Sequence, residues 1–138
     1  MHENIAAETN IQQNSINLLS HKNVGYTYLT PDECLKLRDG KLNEVILKDI
    51  LISQLQKING FDYKGNAYTF SPKNIAKAIE ELNVPLNEGL MSANQKISDK
   101  LMLGTSYDEE LIDGVKKSFS LLYIDFKHPE NNVFHVTE

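Results

Sequence analysis

A single cysteine, Cys34, is the only thiol in this chain of 138 residues. It can close no internal disulfide, which fits a reducing compartment, and its plain reading is a small buried apolar side chain. A catalytic thiol would need a base beside it in space, and no local motif supplies one. Positive charge is also scarce: 14 Lys and Arg face 19 Asp and Glu, for a formal charge of −5. A surface that gripped a phosphate backbone unaided would favour a basic stripe, so this balance argues against that role for this chain alone. No apolar run approaches the roughly 20 residues needed to span a bilayer. The opening "MHENIAAETN" is polar and acidic, without the basic and then apolar stretches of a secretory signal. The expectation is a soluble, cytoplasmic chain with no membrane partner.

Several chemistries are missing by motif. No GxxxxGK[ST] stretch offers a phosphate cradle. There is no HExxH, no CxxC pair and no GxSxG elbow. The four histidines (His2, His21, His128 and His135) are scattered singly, which suits surface or structural roles better than metal ligation. Nothing in the sequence alone nominates a metal ligand set.

What is present reads as one domain of ordinary globular make-up. A 41% hydrophobic and 24% charged composition excludes wholesale disorder, and the length suffices for a core. The first helix is expected over about Ile5 to His21, with Ile11, Ile16, Leu18 and Leu19 as its inner stripe. "GYTYLT" reads as a short strand, and Pro31 opens a turn or short helix. Residues 42 to 59 carry the strongest helical periodicity, through Leu47, Ile50, Leu51, Leu55 and Ile58, with Val45, Ile46 and Ile52 widening the band into a central core helix. Gly60 would stop it. "NGFDYKGNAYTF" is turn-rich and could hold a small hairpin. Ser71 and Pro72 cap and open another helix that buries Ile75, Ile79 and Leu82. A further helix follows Pro85 and uses Leu86, Leu90, Ala93, Ile97 and Leu101 before Gly104. Acidic "SYDEELIDG" reads as a surface connection or a short helix.

The tail changes character. "FSLLYIDF" is apolar at almost every position, as in a strand covered on both faces, and "VFHV" resumes after a polar loop. The fold class is therefore α+β: helices over 1–118, with the start of a sheet over 119–138. Within "IDFK", Asp125 and Lys127 stand two apart, a spacing that puts both on one face of a strand. Nucleases of the PD-(D/E)xK class use a carboxylate and a lysine this way to hold a divalent metal and its water. The second carboxylate that such a half-site needs is not supplied upstream, where Asp113 lies in a loop-like setting. Asp125 is better read as accepting backbone hydrogen bonds and pinning its loop to the two asparagines Asn131 and Asn132.

Taken in order, "VGYTYL", "LRDGKLNEVILKDILISQLQKIN", "GLMSANQKISDKLMLG" and "LLYIDFKHPENNVFHV" resemble the N-terminal region of the restriction (R) subunit of type I restriction-modification enzymes. The most specific element is Asp125 at the end of an apolar run, a seven-residue step to Asn132, and a second strand. The spacing from Arg38 to Asn59 adds to it. Nearly the whole chain is covered.

The resemblance implies the opening of a PD-(D/E)xK nuclease sheet, its metal-binding Asp and Glu-x-Lys pair lying after the strand that matches "VFHV". These 138 residues then form the front of a longer protein, cut short by choice or by reading frame and inactive alone, with "VFHV" at an open or paired sheet edge. The full protein would use Mg2+ and ATP, translocate and cleave duplex DNA, and assemble with methyltransferase (M) and specificity (S) subunits. Within this stretch, Glu8 matches a glutamate of the family's first helix and is the candidate helper of a metal site. Asp125, Asn132, Arg38 and Asn59 carry structural roles, and no nucleic-acid-binding residue is assigned. Two other readings stay open: a helical binding or assembly module contacting partner subunits, and a small stand-alone nuclease using Asp125 and Lys127.

Overall fold

A computed structural model describes the backbone of residues 2–138 and the side chains of residues 7–138. The side chain of His2 lies outside the described residues. The class is α+β, with five α-helices and three separate two-stranded sheets among the described residues. The chain divides into two compact units, Met1–Leu47 with Val133–Glu138, and Lys48–Asn132.

The first unit holds α1 (His2–Ser20), β1 (Thr27–Tyr28), α2 (Pro31–Leu37) and β6 (His135–Val136). Helix α2 starts where local chemistry demands it. Thr30 and Glu33 form a reciprocal capping box, each side chain accepting from the other's main-chain N–H at 3.2 and 2.9 Å, and Pro31 takes the first helical position. β1 and β6 run parallel, Thr27 opposite His135 and Tyr28 opposite Val136. The Tyr26 and Phe134 rings meet at 5.3 Å beside them. Of the expected inner stripe of α1, Ile16 is buried, Leu19 is half-buried, and Ile11 and Leu18 face solvent. A two-stranded sheet is too narrow to cover more of that helix.

The second unit holds α3 (Lys48–Ile58), β2 (Gly60–Tyr63), β3 (Asn66–Thr69), α4 (Pro72–Glu80), α5 (Leu90–Leu103), β4 (Thr105–Glu110) and β5 (Lys116–Leu121). The helix expected from residue 42 begins only at Lys48. Leu42 and Val45 are 78% exposed, so the wide apolar band combines a solvent-facing turn with a narrower helical stripe centred on the fully buried Leu55. Gly60 does not stop that helix; it opens β2, opposite Thr69. The expected hairpin is present: β2 and β3 join through Lys64 and Gly65, both at positive φ (48° and 79°), the pairing that matches strand twist in a two-residue turn. Ser71 caps α4 with Pro72 at its first position, and Ile75 and Ile79 are buried. Helix α5 buries Ala93 and leaves Leu86 and Leu90 exposed before and at its start.

The partition into helices up to residue 118 and strands after it gives way here. The acidic stretch is strand β4, paired antiparallel with β5 from Thr105↔Leu121 to Glu110↔Lys116. Its inward side is Thr105, Tyr107, Glu109 and Leu111. One buried glutamate in that alternation disguises it as a charged loop. The apolar tail is a strand only to Leu121, and it is covered on one side: Leu121 and Tyr123 are buried while Ser118, Ser120 and Leu122 are exposed. Among the described residues "VFHV" holds β6, which pairs with β1, while β5 pairs with β4, so the two form no hairpin. No described helix is long and apolar enough to cross a membrane.

Candidate functional site

The segment after β5, Leu122 to Asp125, is held by two asparagine side chains in the same way. Asn59, last residue before β2 and 5% exposed, accepts from the Leu122 N–H through Oδ1 at 2.7 Å and donates from Nδ2 to the Leu122 carbonyl at 2.7 Å. Its second amide hydrogen goes to the Leu55 carbonyl at 3.0 Å, which closes the last turn of α3. Asn132 repeats the pairing three residues further on. Its Oδ1 accepts from the Asp125 N–H at 3.0 Å and its Nδ2 donates to the Asp125 carbonyl at 2.9 Å. An amide side chain carries one acceptor and two donors, so it can imitate a strand's backbone at one position.

The Asp125 carboxylate faces the loop. Oδ1 accepts from the His128 N–H at 3.0 Å and Oδ2 from the Asn131 amide at 3.1 Å. The His128 main-chain bond and the Asn131 amide hold Asp125 below the usual carboxylate range, because both stabilise the ionised form. The backbone bends at residues 123, 124, 126 and 127, on either side of Asp125, and no strand runs through it. The strand alternation that would aim Asp125 and the exposed Lys127 at one metal-bound water is therefore missing. Among the described residues no three His, Cys, Asp or Glu side chains come together as a metal site. The arrangement around Asp125 closes a turn; it does not present a metal ligand set.

The other expected residues lie elsewhere. Glu8 sits exposed on α1. Arg38 ends α2 with its N–H on the Leu35 carbonyl and reaches the Glu44 carbonyl from a guanidinium nitrogen at 3.2 Å, while its Nε is buried without a hydrogen-bond partner. Arg38 thereby braces the turn that separates α2 from α3.

Three polar clusters are absent from the sequence reading. Glu109, 8% exposed, accepts from the Ser71 N–H at 2.7 Å and from the Asn74 amide at 2.9 Å. A carboxylate there meets the positive end of α4, beside a hollow of about 440 Å³ lined by Lys73, Lys77 and Lys116. Asp113 in the β4–β5 turn accepts from the Tyr63 hydroxyl at 3.0 Å and from Lys64 at 2.9 Å. Lys64 holds the Asp113 carboxyl below its ordinary range. Glu81 accepts from the Tyr107 hydroxyl at 2.7 Å and from Lys100 at 3.2 Å. Partial burial raises the Glu81 pKa, but Tyr107 and Lys100 outweigh it and leave that pKa lowered. Burial and then Glu81 push the Tyr107 hydroxyl upward, and the same two causes push Tyr123 up to about 12. Both hydroxyls donate hydrogen bonds, Tyr107 to Glu81 and Tyr123 to the Ala78 carbonyl at 2.6 Å. Only the strand alternation of 105–111 could have pointed to Glu109 in the sequence.

The family model for the type I restriction enzyme R protein N terminus matches residues 5–138, nearly the whole chain. The chain belongs to that family. No curated protein matches it, and no solved structure does. Membership of the R protein N-terminal family agrees with the α+β class, and it connects the chain to restriction-modification.

Proposed function

We propose that this chain forms the N-terminal scaffold of a type I R subunit, a protein that translocates duplex DNA with ATP and cleaves it with Mg2+ in the cytoplasm, assembled with M and S subunits. The observation that carries this reading is the family match over residues 5–138. The PD-(D/E)xK sheet is part of the same proposal: β5 and the clamped Leu122–Asp125 segment lead toward it, and the chemistry resides in an Asp and a Glu-x-Lys pair outside these residues. Glu8, exposed on α1, is proposed to lean on that metal site in the assembled protein. Asp125 and Asn132 set the chain path that the catalytic strands follow.

The test has two arms. An R polypeptide carrying this chain, mixed with M and S subunits, ATP and Mg2+, is expected to cut an unmethylated plasmid bearing the cognate site. Absence of ATP-dependent cutting by an assembled complex overturns the reading. The chain alone with Mg2+ is expected to leave supercoiled plasmid intact. Nicking by the chain alone that disappears in Lys127→Ala would replace the scaffold reading with a stand-alone nuclease.

A further inference from the structure

The asparagine that clamps Leu122 is followed by glycine, and Asn59-Gly60 is the only Asn-Gly pair in the sequence. That pair is chemically special. Glycine has no side chain to shield its nitrogen or restrict its backbone, so its main-chain nitrogen reaches the preceding side-chain carbon easily. The Gly60 nitrogen gives its proton to hydroxide and bonds to Cγ of Asn59. The Cγ–Nδ2 bond breaks, the departing nitrogen takes a proton back from the water just formed and leaves as ammonia, and a five-membered succinimide remains. Water then opens the ring at either carbonyl, giving aspartate or isoaspartate. One water is consumed, one ammonia is released, and no oxidant is involved.

The fold opposes every part of this step. Nδ2, the leaving group, is tied to the Leu55 and Leu122 carbonyls, and Oδ1 is tied to the Leu122 N–H. The Asn59 residue is 5% exposed, which keeps water and hydroxide away. Gly60 is held in the β2–β3 ladder opposite Thr69. Ring closure needs the side chain to swing back over its own backbone, and it can do so only after the clamp opens.

We propose that Asn59 is a deamidation site gated by folding, protected while Leu122 is in place and reactive whenever that segment detaches. The change runs one way. A carboxylate at position 59 has no hydrogen to give to the Leu55 and Leu122 carbonyls, so a modified chain cannot rebuild the clamp, and isoaspartate also inserts an extra backbone carbon at the α3–β2 junction. Chains that have once opened would thus be marked by their own chemistry and kept from returning to the native state.

The test is peptide mass mapping of the full chain after incubation in mildly alkaline buffer, with and without urea. The residue 59 peptide is expected to gain one mass unit more than about tenfold faster in urea, because the reactive population scales with the open fraction. Equal rates in the two conditions overturn the gating. Gly60→Ala is expected to suppress the reaction in urea several-fold while preserving the fold, since an added Cβ meets only the Tyr68 carbonyl oxygen at 3.8 Å. Unchanged modification of Gly60→Ala in urea overturns the succinimide route, and that arm needs no folded protein. Modified chain returned to native buffer is expected to unfold at lower urea than unmodified chain; an identical midpoint overturns the one-way claim.

Discussion

Asn59 pairs through its side-chain amide with both backbone groups of Leu122, 63 positions later in the chain, at 2.7 Å each. The bond ties the end of α3 to the chain leaving β5 without any strand between them. Removing the amide takes the partner from the Leu122 N–H and carbonyl at a part-buried place, while the Leu55 carbonyl keeps the Asn59 main-chain N–H at 3.2 Å. Asn59→Ala is therefore expected to lower stability by about 1–3 kcal/mol, read as a shift of the urea midpoint without a change of slope. Asn59→Asp is expected to lose at least as much at neutral pH and to regain part of it in acid, where a protonated carboxyl can again donate to one carbonyl. A midpoint within experimental error of the parent in either variant removes the clamp from the account of stability.

Asp125 has a folded pKa held below its unfolded value, first by the His128 N–H and then by the Asn131 amide. Its contribution to stability is thus fully present above the unfolded value, about 3.9, and is lost as pH falls through the lower folded value. The His128 amide proton, corrected for the intrinsic pH dependence of exchange, is expected to be better protected above that range than below it. Asp125→Asn should abolish the dependence, because an amide does not titrate in this range. A pH-independent His128 amide in the parent chain sinks this prediction. Asn132→Ala is expected to cost about 1 kcal/mol and to free the Asp125 N–H, since its two bonds are only partly buried.

The sequence makes helices α2, α4 and α5 legible through local starts and stops: Pro31, Ser71 with Pro72, and Gly104. The β2–β3 turn is legible for a similar reason, since Lys64-Gly65 sits between two short aromatic runs. Each of these is a local signal, decided within a few residues. What stays hidden is decided at long range. Leu42 and Val45 fit a helical stripe by spacing, yet they belong to a turn that Arg38 braces by a bond to the Glu44 carbonyl. Glu109 breaks the apolar alternation of β4 because its partners, Ser71 and Asn74, come from 35 or more positions earlier. The loop role of Asp125 and the two asparagines was within reach because the three lie within seven residues; that Asn59 repeats the motif from far upstream was not.

Gly104 tests the junction between α5 and β4. It lies at φ 73°, and a Cβ there would run into the Leu121 carbonyl oxygen, part of the first β4–β5 pair. Backbone cannot yield as a flexible side chain can. Gly104→Ala is expected to cost on the order of 2–3 kcal/mol, combining the strained φ with the clash. Gly114→Ala, also at positive φ but with nothing within 4 Å, should lose only the conformational part, about 1 kcal/mol. Equal losses at the two positions would mean that the close approach to Leu121 is not felt.

Glu109 separates a charge effect from a hydrogen-bond effect at the start of α4. Its Oε1 atom alone accepts both the Ser71 N–H and the Asn74 amide. Glu109→Gln keeps a carbonyl oxygen in that place and removes only the favourable meeting of carboxylate and helix end, worth about 0.3–1 kcal/mol. Glu109→Ala removes the acceptor as well and leaves the Ser71 N–H without a partner in a nearly closed site, so about 2–3 kcal/mol should go. The ratio matters more than either value. If alanine and glutamine cost the same, the carboxylate acts through the helix field and not as a cap, and the buried charge in β4 would have its explanation in the macrodipole alone.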